Sequence, residues 1–213
     1  MNDNQIKIGI SLGDPNGIGA ELIIKAFANQ QMLRYCTPII YGSAKTISFY
    51  KKALGYESFD FNKINSTDKV KFKKINIIDC WSETAKIVMG QASSEAGGYA
   101  IKALEAATKD LKSGKIDCLV TLPINKKTVK ESGFKFIGHT EYLRDYFDVK
   151  ENLMLMVSQN LRVAVATGHI PLCEVASTLT TNLIIKKAKL LNESLIKDFG
   201  IIKPKIAVLG VNP

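Results

Sequence analysis

The stretch "IKIGISLGDPNGIGAELIIKAFAN", Ile6 to Asn29, decides the fold. Its opening "IKIGISL" is a short apolar, β-branched run, which predicts a strand, and "IGAELIIKAFAN" carries apolar residues at helical spacing. Between them Gly13, Gly17 and Gly19 let the backbone turn tightly or approach a ligand closely. A dinucleotide fingerprint fails two tests here: the spacing is not GxGxxG, and Asp14 stands where it would repel a pyrophosphate. The loop reads equally well as a turn capped by Asp14 or Asn16 and as a ligand loop.

The strand-then-helix rhythm repeats along the chain. "PIIYG" precedes "SAKTISFYKKAL", and "INIID" precedes "SSEAGGYAIKALEAATKDLKSG". Such alternation predicts βαβ units around a largely parallel sheet, an α/β fold. Further strands are expected at "KIDCLVTL", "LMLMVS", "RVAVATG" and "KIAVLGV", with a helix from about Thr181 to Phe199 stopped by Gly200 and Pro204. The polar, lysine-rich segment Glu57–Lys74 breaks the rhythm and predicts a surface excursion. The terminal "KIAVLGVNP" delivers a loop at the carboxyl end of a strand, where ligand sites gather in α/β folds, so further site residues are expected beyond Pro213.

Composition narrows the function classes. The 213 residues are 46% hydrophobic and 23% charged, ordinary for a globular chain with a sizeable core. No signal-peptide pattern opens the sequence and no run of about 18 apolar residues occurs, so a cytoplasmic protein without membrane contact is expected. Cys36, Cys80, Cys118 and Cys173 are widely spaced, with no CxxC pair, and are expected as small packing residues with free thiols; Cys118 lies inside an apolar run. The net charge of +9 comes from basic residues that are all lysine except Arg34, Arg144 and Arg162. Nucleic-acid grooves favour arginine with interleaved aromatics, and the positive field would equally attract small phosphorylated substrates or dinucleotides.

Three stretches carry candidate chemistry. "TLPINKKTVKESG" presents Asn125, Lys126 and Lys127 at a strand's carboxyl end, where an ammonium can bind an anion or simply stand in solvent. In "FIGHTEYLRDYF" the glycine breaks the chain, and Thr140 and Glu141 start a helix whose apolar face is Tyr142, Leu143, Tyr146 and Phe147. His139 and Thr140 then project from a helix start, a geometry suited to phosphate or carboxylate, although a histidine there is more often a capping or packing residue. "RVAVATGHIPLCEV" holds His169 in a turn stiffened by Pro171, a place for a metal ligand or acid/base group. One imidazole is not a metal site, because a catalytic zinc takes about three protein ligands.

Taken together, "GDPNGIGAE", "TLPINK", "GHTEYL", "VAVATGHIPL" and "VLGVNP" resemble, in order and spacing and across the whole chain, the 4-hydroxythreonine-4-phosphate dehydrogenase (PdxA) family. The resemblance implies a fold like isocitrate and isopropylmalate dehydrogenases, two α/β domains around a cleft. It places a first domain at about 1–130 and the beginning of an incomplete second at 131–213. It implies that His139 and Thr140 contact a phosphorylated substrate and that His169 is one ligand of a divalent metal (zinc, magnesium or cobalt). NAD is the implied oxidant, bound without the Rossmann fingerprint, and a homodimer sharing active sites is implied as the partner arrangement. The implied reaction oxidises 4-phosphohydroxy-L-threonine to a 3-oxo acid that decarboxylates to 3-amino-2-oxopropyl phosphate, in pyridoxal phosphate (vitamin B6) biosynthesis.

This sequence departs from the family at Ala20, often proline, and at Asn125, histidine in some members. Members also continue past "NP" into a second metal-binding histidine, with a third supplied across the dimer and further phosphate ligands. Two other readings stay open: a related dehydrogenase of 4-phosphoerythronate or 4-phosphothreonate, and a non-catalytic binding module.

Overall fold

The computed structural model describes residues 5–210, and the chain divides into two compact units, Met1–Phe147 and Asp148–Pro213. The first unit is built on β1 (Ile6–Ser11), α1 (Gly19–Ala28), β2 (Cys36–Gly42), α2 (Ala44–Ala53), β3 (Asn62–Ile64), β4 (Asn76–Asp79), α3 (Ser94–Lys112), β5 (Cys118–Thr121), α4 (Lys126–Glu131) and α5 (His139–Tyr146). The strands form one sheet in the order β3-β4-β2-β1-β5, and every pairing is parallel. The expected α/β architecture with a parallel sheet is therefore present.

Strand β2 is buried at all seven positions, as a strand covered by helices on both faces must be. Ile24, Ile39, Ile40, Ile47 and Ile77 expose no surface, and burying each contributes about 1.5–3 kcal/mol relative to exposure. Edge position explains two differences from the sequence expectation. Cys118, expected in the core, is exposed because β5 lies at the sheet's edge. The polar Glu57–Lys74 excursion contains the three-residue edge strand β3, anchored by buried Phe59 and Ile64.

The chain direction across the sheet reverses at β1 and β5, which makes their carboxyl ends a topological switch point. There the two loops are bonded together: the Asp14 amide donates to the Pro123 carbonyl at 3.0 Å. Gly13 makes this possible with a left-handed φ of 71°, and a Cβ on it would fall 2.3 Å from that same carbonyl oxygen. Asn16 then ties the turn to a distant segment, accepting from the Val88 amide and donating to the Gln91 carbonyl. The capped-turn reading of this loop accounts for its polar residues.

The second unit holds an antiparallel pair, β6 (Leu155–Val157) and β7 (Arg162–Ala164), followed by α6 (Leu172–Thr178) and α7 (Thr181–Lys197). Thr180 caps α7 by accepting from the Leu183 amide at 3.2 Å. The strand expected at "KIAVLGV" has no ladder partner over the described residues 205–210, and Val211 lies outside them. Extended apolar chain without a partner lacks the hydrogen bonds that define a strand. No helix among the described residues is long and apolar enough to cross a membrane.

Candidate active site

Strand β5 leads through Leu122 and Pro123 into α4, and Asn125 caps that helix: its Oδ1 accepts from the Lys127 amide at 3.0 Å and the Thr128 amide at 3.4 Å. The amide side chain is thereby committed to local structure. Helix α4 is pressed against α3 at Gly97, where a Cβ would fall 2.5 Å from the Thr128 carbonyl, so only glycine permits the approach. Ser132 closes the contact, its hydroxyl within bonding reach of both the Ser94 and Thr128 carbonyls.

Helix α5 is held from behind. Tyr142 is 5% exposed and packs with Phe134 and Phe136, each ring centroid 5.5 Å away, against Val129 and Leu104. At the far end, Lys112 donates to the Tyr146 carbonyl at 2.8 Å, supplying positive charge where the helix dipole is negative. The expected apolar face is thus the anchoring face, and it fixes the start of α5 in place.

That start has free donors. Gly138 occupies the cap position and no side chain caps the first-turn amides, which therefore keep their hydrogen-bonding capacity. Thr140 is exposed there. His139 is half-buried, and its Nε2 is shielded from solvent with no hydrogen-bond partner among the described residues. Burial lowers the imidazole's pKa below its ordinary value, so the ring is neutral at pH 7 and offers one N–H and one acceptor. An anion held at this helix start would meet amide N–H groups and the exposed Thr140 side chain.

The structure also joins two stretches that are separate in sequence. The point a Gly138 Cβ would occupy lies 3.5 Å from Glu141 Oε2 and 4.0 Å from Lys126 Cε, so the "TLPINK" and "GHTE" motifs meet at one place. Local patterning flagged Lys126 as a possible anion ligand, and its neighbour is set by tertiary packing alone. Asp14, by contrast, is 6% exposed, sits within its own turn accepting from the Asn16 amide, and has its pKa raised by burial.

His169 belongs to the second unit. It is exposed, in the turn between β7 and α6, and has a left-handed φ of 56°. Histidine is among the few non-glycine residues enriched in that conformation, which costs about 1–2 kcal/mol. A Cβ at Gly168 would meet nothing within 4 Å. Among the described residues no three of His, Cys, Asp and Glu come together as a metal-binding group. His169 therefore brings one imidazole, and the residues present do not by themselves make a metal centre.

Comparison with known proteins agrees with these motifs. The chain is 40% identical over all of its length to a 4-hydroxythreonine-4-phosphate dehydrogenase of Bacteroides thetaiotaomicron, covering 58% of that protein. It is 40% identical over 98% of its length to a second of that name from a Sulfurihydrogenibium species, covering 63% of it. A crystal structure of a 4-hydroxythreonine-4-phosphate dehydrogenase from Burkholderia phymatum matches 99% of the chain at 31% identity with a TM-score of 0.87, and 64% of that protein is covered. The chain thus spans about three-fifths of the length of these relatives. The family model described as pyridoxal phosphate biosynthetic protein PdxA matches residues 34–213. By that match, and by the relatives it resembles along its whole length, this chain belongs to the PdxA family.

Proposed function

We propose that this chain forms the substrate-phosphate side of an NAD-dependent 4-hydroxythreonine-4-phosphate dehydrogenase acting in pyridoxal phosphate biosynthesis. The observation that carries the reading is the start of α5, where uncapped amides, the exposed Thr140 and the unpartnered His139 Nε2 stand together on a helix fixed from behind. Helix starts of this kind bind phosphoryl groups through their amides and dipole. The names of the relatives at 40% identity support the substrate and the reaction.

In this reading His139 and Thr140 orient 4-phosphohydroxy-L-threonine by its phosphate. With NAD bound, the reaction would convert the substrate's secondary alcohol to the 3-oxo acid, hydride passing to the cofactor and the hydroxyl proton to solvent; loss of carbon dioxide and uptake of one proton at the carbon it leaves would give 3-amino-2-oxopropyl phosphate. NAD, when bound, supplies the hydride acceptor. His169 is proposed as a single donor to a divalent metal, zinc, magnesium or cobalt. Since the residues present do not complete such a site, no step here is routed through it. A homodimer with shared sites is part of the same proposal.

The test uses a polypeptide of the relatives' length that contains this chain, supplied with NAD, a divalent metal and 4-phosphohydroxy-L-threonine. Formation of NADH, dependent on the phosphorylated substrate, is the expected result. Absence of NADH with that substrate from a folded protein would overturn the reading.

A further inference from the structure

We propose that Asn16 is a positioning residue for the proposed reaction, acting through a closed ring of contacts that leaves its side chain through α3 and α4 and returns through Pro123 and Asp14. The inference rests on the reading above and deepens it by naming what holds the helices behind the site in one arrangement.

The ring begins at a turn that one residue holds. Val88–Gln91 is closed by its own bond, the Gln91 amide donating to the Val88 carbonyl at 3.1 Å, with Gly90 at a left-handed φ of 74°. Asn16, 4% exposed, meets this turn three times. Its Oδ1 accepts from the Val88 amide at 3.0 Å, its Nδ2 donates to the Gln91 carbonyl at 2.9 Å, and its own carbonyl accepts from the Gly90 amide at 2.8 Å. The turn belongs to the chain between β4 and α3, whereas Asn16 follows β1, and β2 stands between those two strands in the sheet. Asparagine suits the place because one side chain must both accept and donate.

From the turn the ring passes into helices. Two residues beyond Gln91, Ser93 caps α3 by accepting from the Ala96 amide at 3.1 Å, so the Asn16 bonds fix where α3 starts. At Gly97 the backbone of α3 meets that of α4 at Thr128. Thr128 Oγ1 donates to the Asn125 carbonyl at 3.0 Å, which ties α4 to the loop from β5. In that loop the Pro123 carbonyl accepts from the Asp14 amide at 3.0 Å. Asp14 completes the circuit, its Oδ1 accepting from the Asn16 amide at 2.8 Å. A closed ring of short contacts admits one placement of α3 on α4, and opening it at Asn16 frees the start of α3 to shift.

Helix α5 rests on both of those helices. Tyr142 shares one buried cluster with Ala100 and Leu104 of α3 and Val129 of α4, so α5 follows their docking. Binding groups must be held within about 0.5 Å of their working positions, and that is done by the residues behind them.

The experiment uses the polypeptide of the relatives' length with two variants: Asn16→Asp, which keeps an acceptor and loses the Nδ2 donor, and Asn16→Ser, which is too short to bridge Val88 and Gln91. Hydrogen exchange read by mass spectrometry should leave β2 protected, showing an intact fold, and should quicken by at least about fivefold in the Val88–Gln91 turn, in α4 and in α5. The KM for 4-phosphohydroxy-L-threonine should rise by at least about fivefold, as loss of one hydrogen bond does, with kcat within about twofold. For the same hydroxy acid lacking its phosphate both constants should stay within about twofold. A merely structural role would lower kcat for both substrates together and leave KM alone, and that result would overturn the proposal. Faster exchange confined to the turn, or loss of β2 protection in both variants, would overturn it as well, the second because Asn16 would then hold the core rather than the site. Absence of NADH from the folded parent removes the reading of the substrate, and the exchange pattern then decides the ring by itself.

Discussion

The two units of this chain are packed very differently. In the first, β2 and β4 hold isoleucines with no exposed surface; in the second, Leu195 is the one apolar side chain that is buried among the described residues. Leu172 and Leu209 there are 89% and 90% exposed, and among the described residues the second unit's sheet is a pair of three-residue strands. Two short strands with little covering are marginal in water. The difference bears directly on the candidate site residues. His139 and Thr140 stand on a helix whose far side is a buried aromatic cluster, while His169 stands in an exposed, left-handed turn. Geometry at His139 is enforced by a core; geometry at His169 depends on local backbone conformation.

The sharpest way to break this contrast is truncation of one side chain in each unit. Ile40→Ala should cost about 2–5 kcal/mol, the range for a large side chain removed from a tight core, and Leu209→Ala should stay within about 0.5 kcal/mol. Comparable costs in denaturant melts would refute the contrast. Amide hydrogen exchange sharpens it further: amides of β1, β2 and β4 should exchange at least about 100-fold more slowly than those of β6, β7 and α7. A smaller effect is expected at the turn, where His169→Gly should raise the second unit's stability by up to about 1 kcal/mol by relieving the left-handed conformation. A loss of stability there would show that the histidine side chain holds the turn.

The smallest effects are in pH dependence, and they have opposite signs at two groups of the first unit. Burial raises the pKa of Asp14, so the folded state keeps its proton better than the unfolded chain does. Stability then falls as pH rises from the ordinary carboxylate value to the folded one, and Asp14→Asn should remove that fall. Burial lowers the pKa of His139, so the unfolded chain takes up its proton first. Stability is lost as pH drops below about 6.5 toward the folded value, and His139→Gln should flatten that limb. Thermal melts across pH 3–7 separate the two, and unchanged profiles in both variants would contradict the burial argument.

Much of the first unit was legible in the sequence, because its strands are continuous apolar runs and its helices carry one apolar face. β3 escaped notice: three residues at a sheet edge, flanked by polar chain, have no periodicity to detect. Cys118 looked buried because an edge strand and a central strand share the same short apolar run, and only pairing separates them. At Lys205–Gly210 the reverse holds, since the pattern of a strand is present and a partner is not. The "GHTE" helix start could be read from local signals, a glycine followed by polar residues and then an apolar face. That Lys126 would stand beside Gly138, or that His139 would be neutral, depends on how α3, α4 and α5 pack, which no local spacing contains.

The central claim, that the start of α5 holds the substrate's phosphate, is tested most directly by the steady-state kinetics of His139→Ala in the longer polypeptide. The measurement compares 4-phosphohydroxy-L-threonine with the same hydroxy acid lacking its phosphate. The account predicts a loss in kcat/KM of about 1.5–3 kcal/mol for the phosphorylated substrate and little change for the other. Equal losses for both substrates, or none for either, would contradict it.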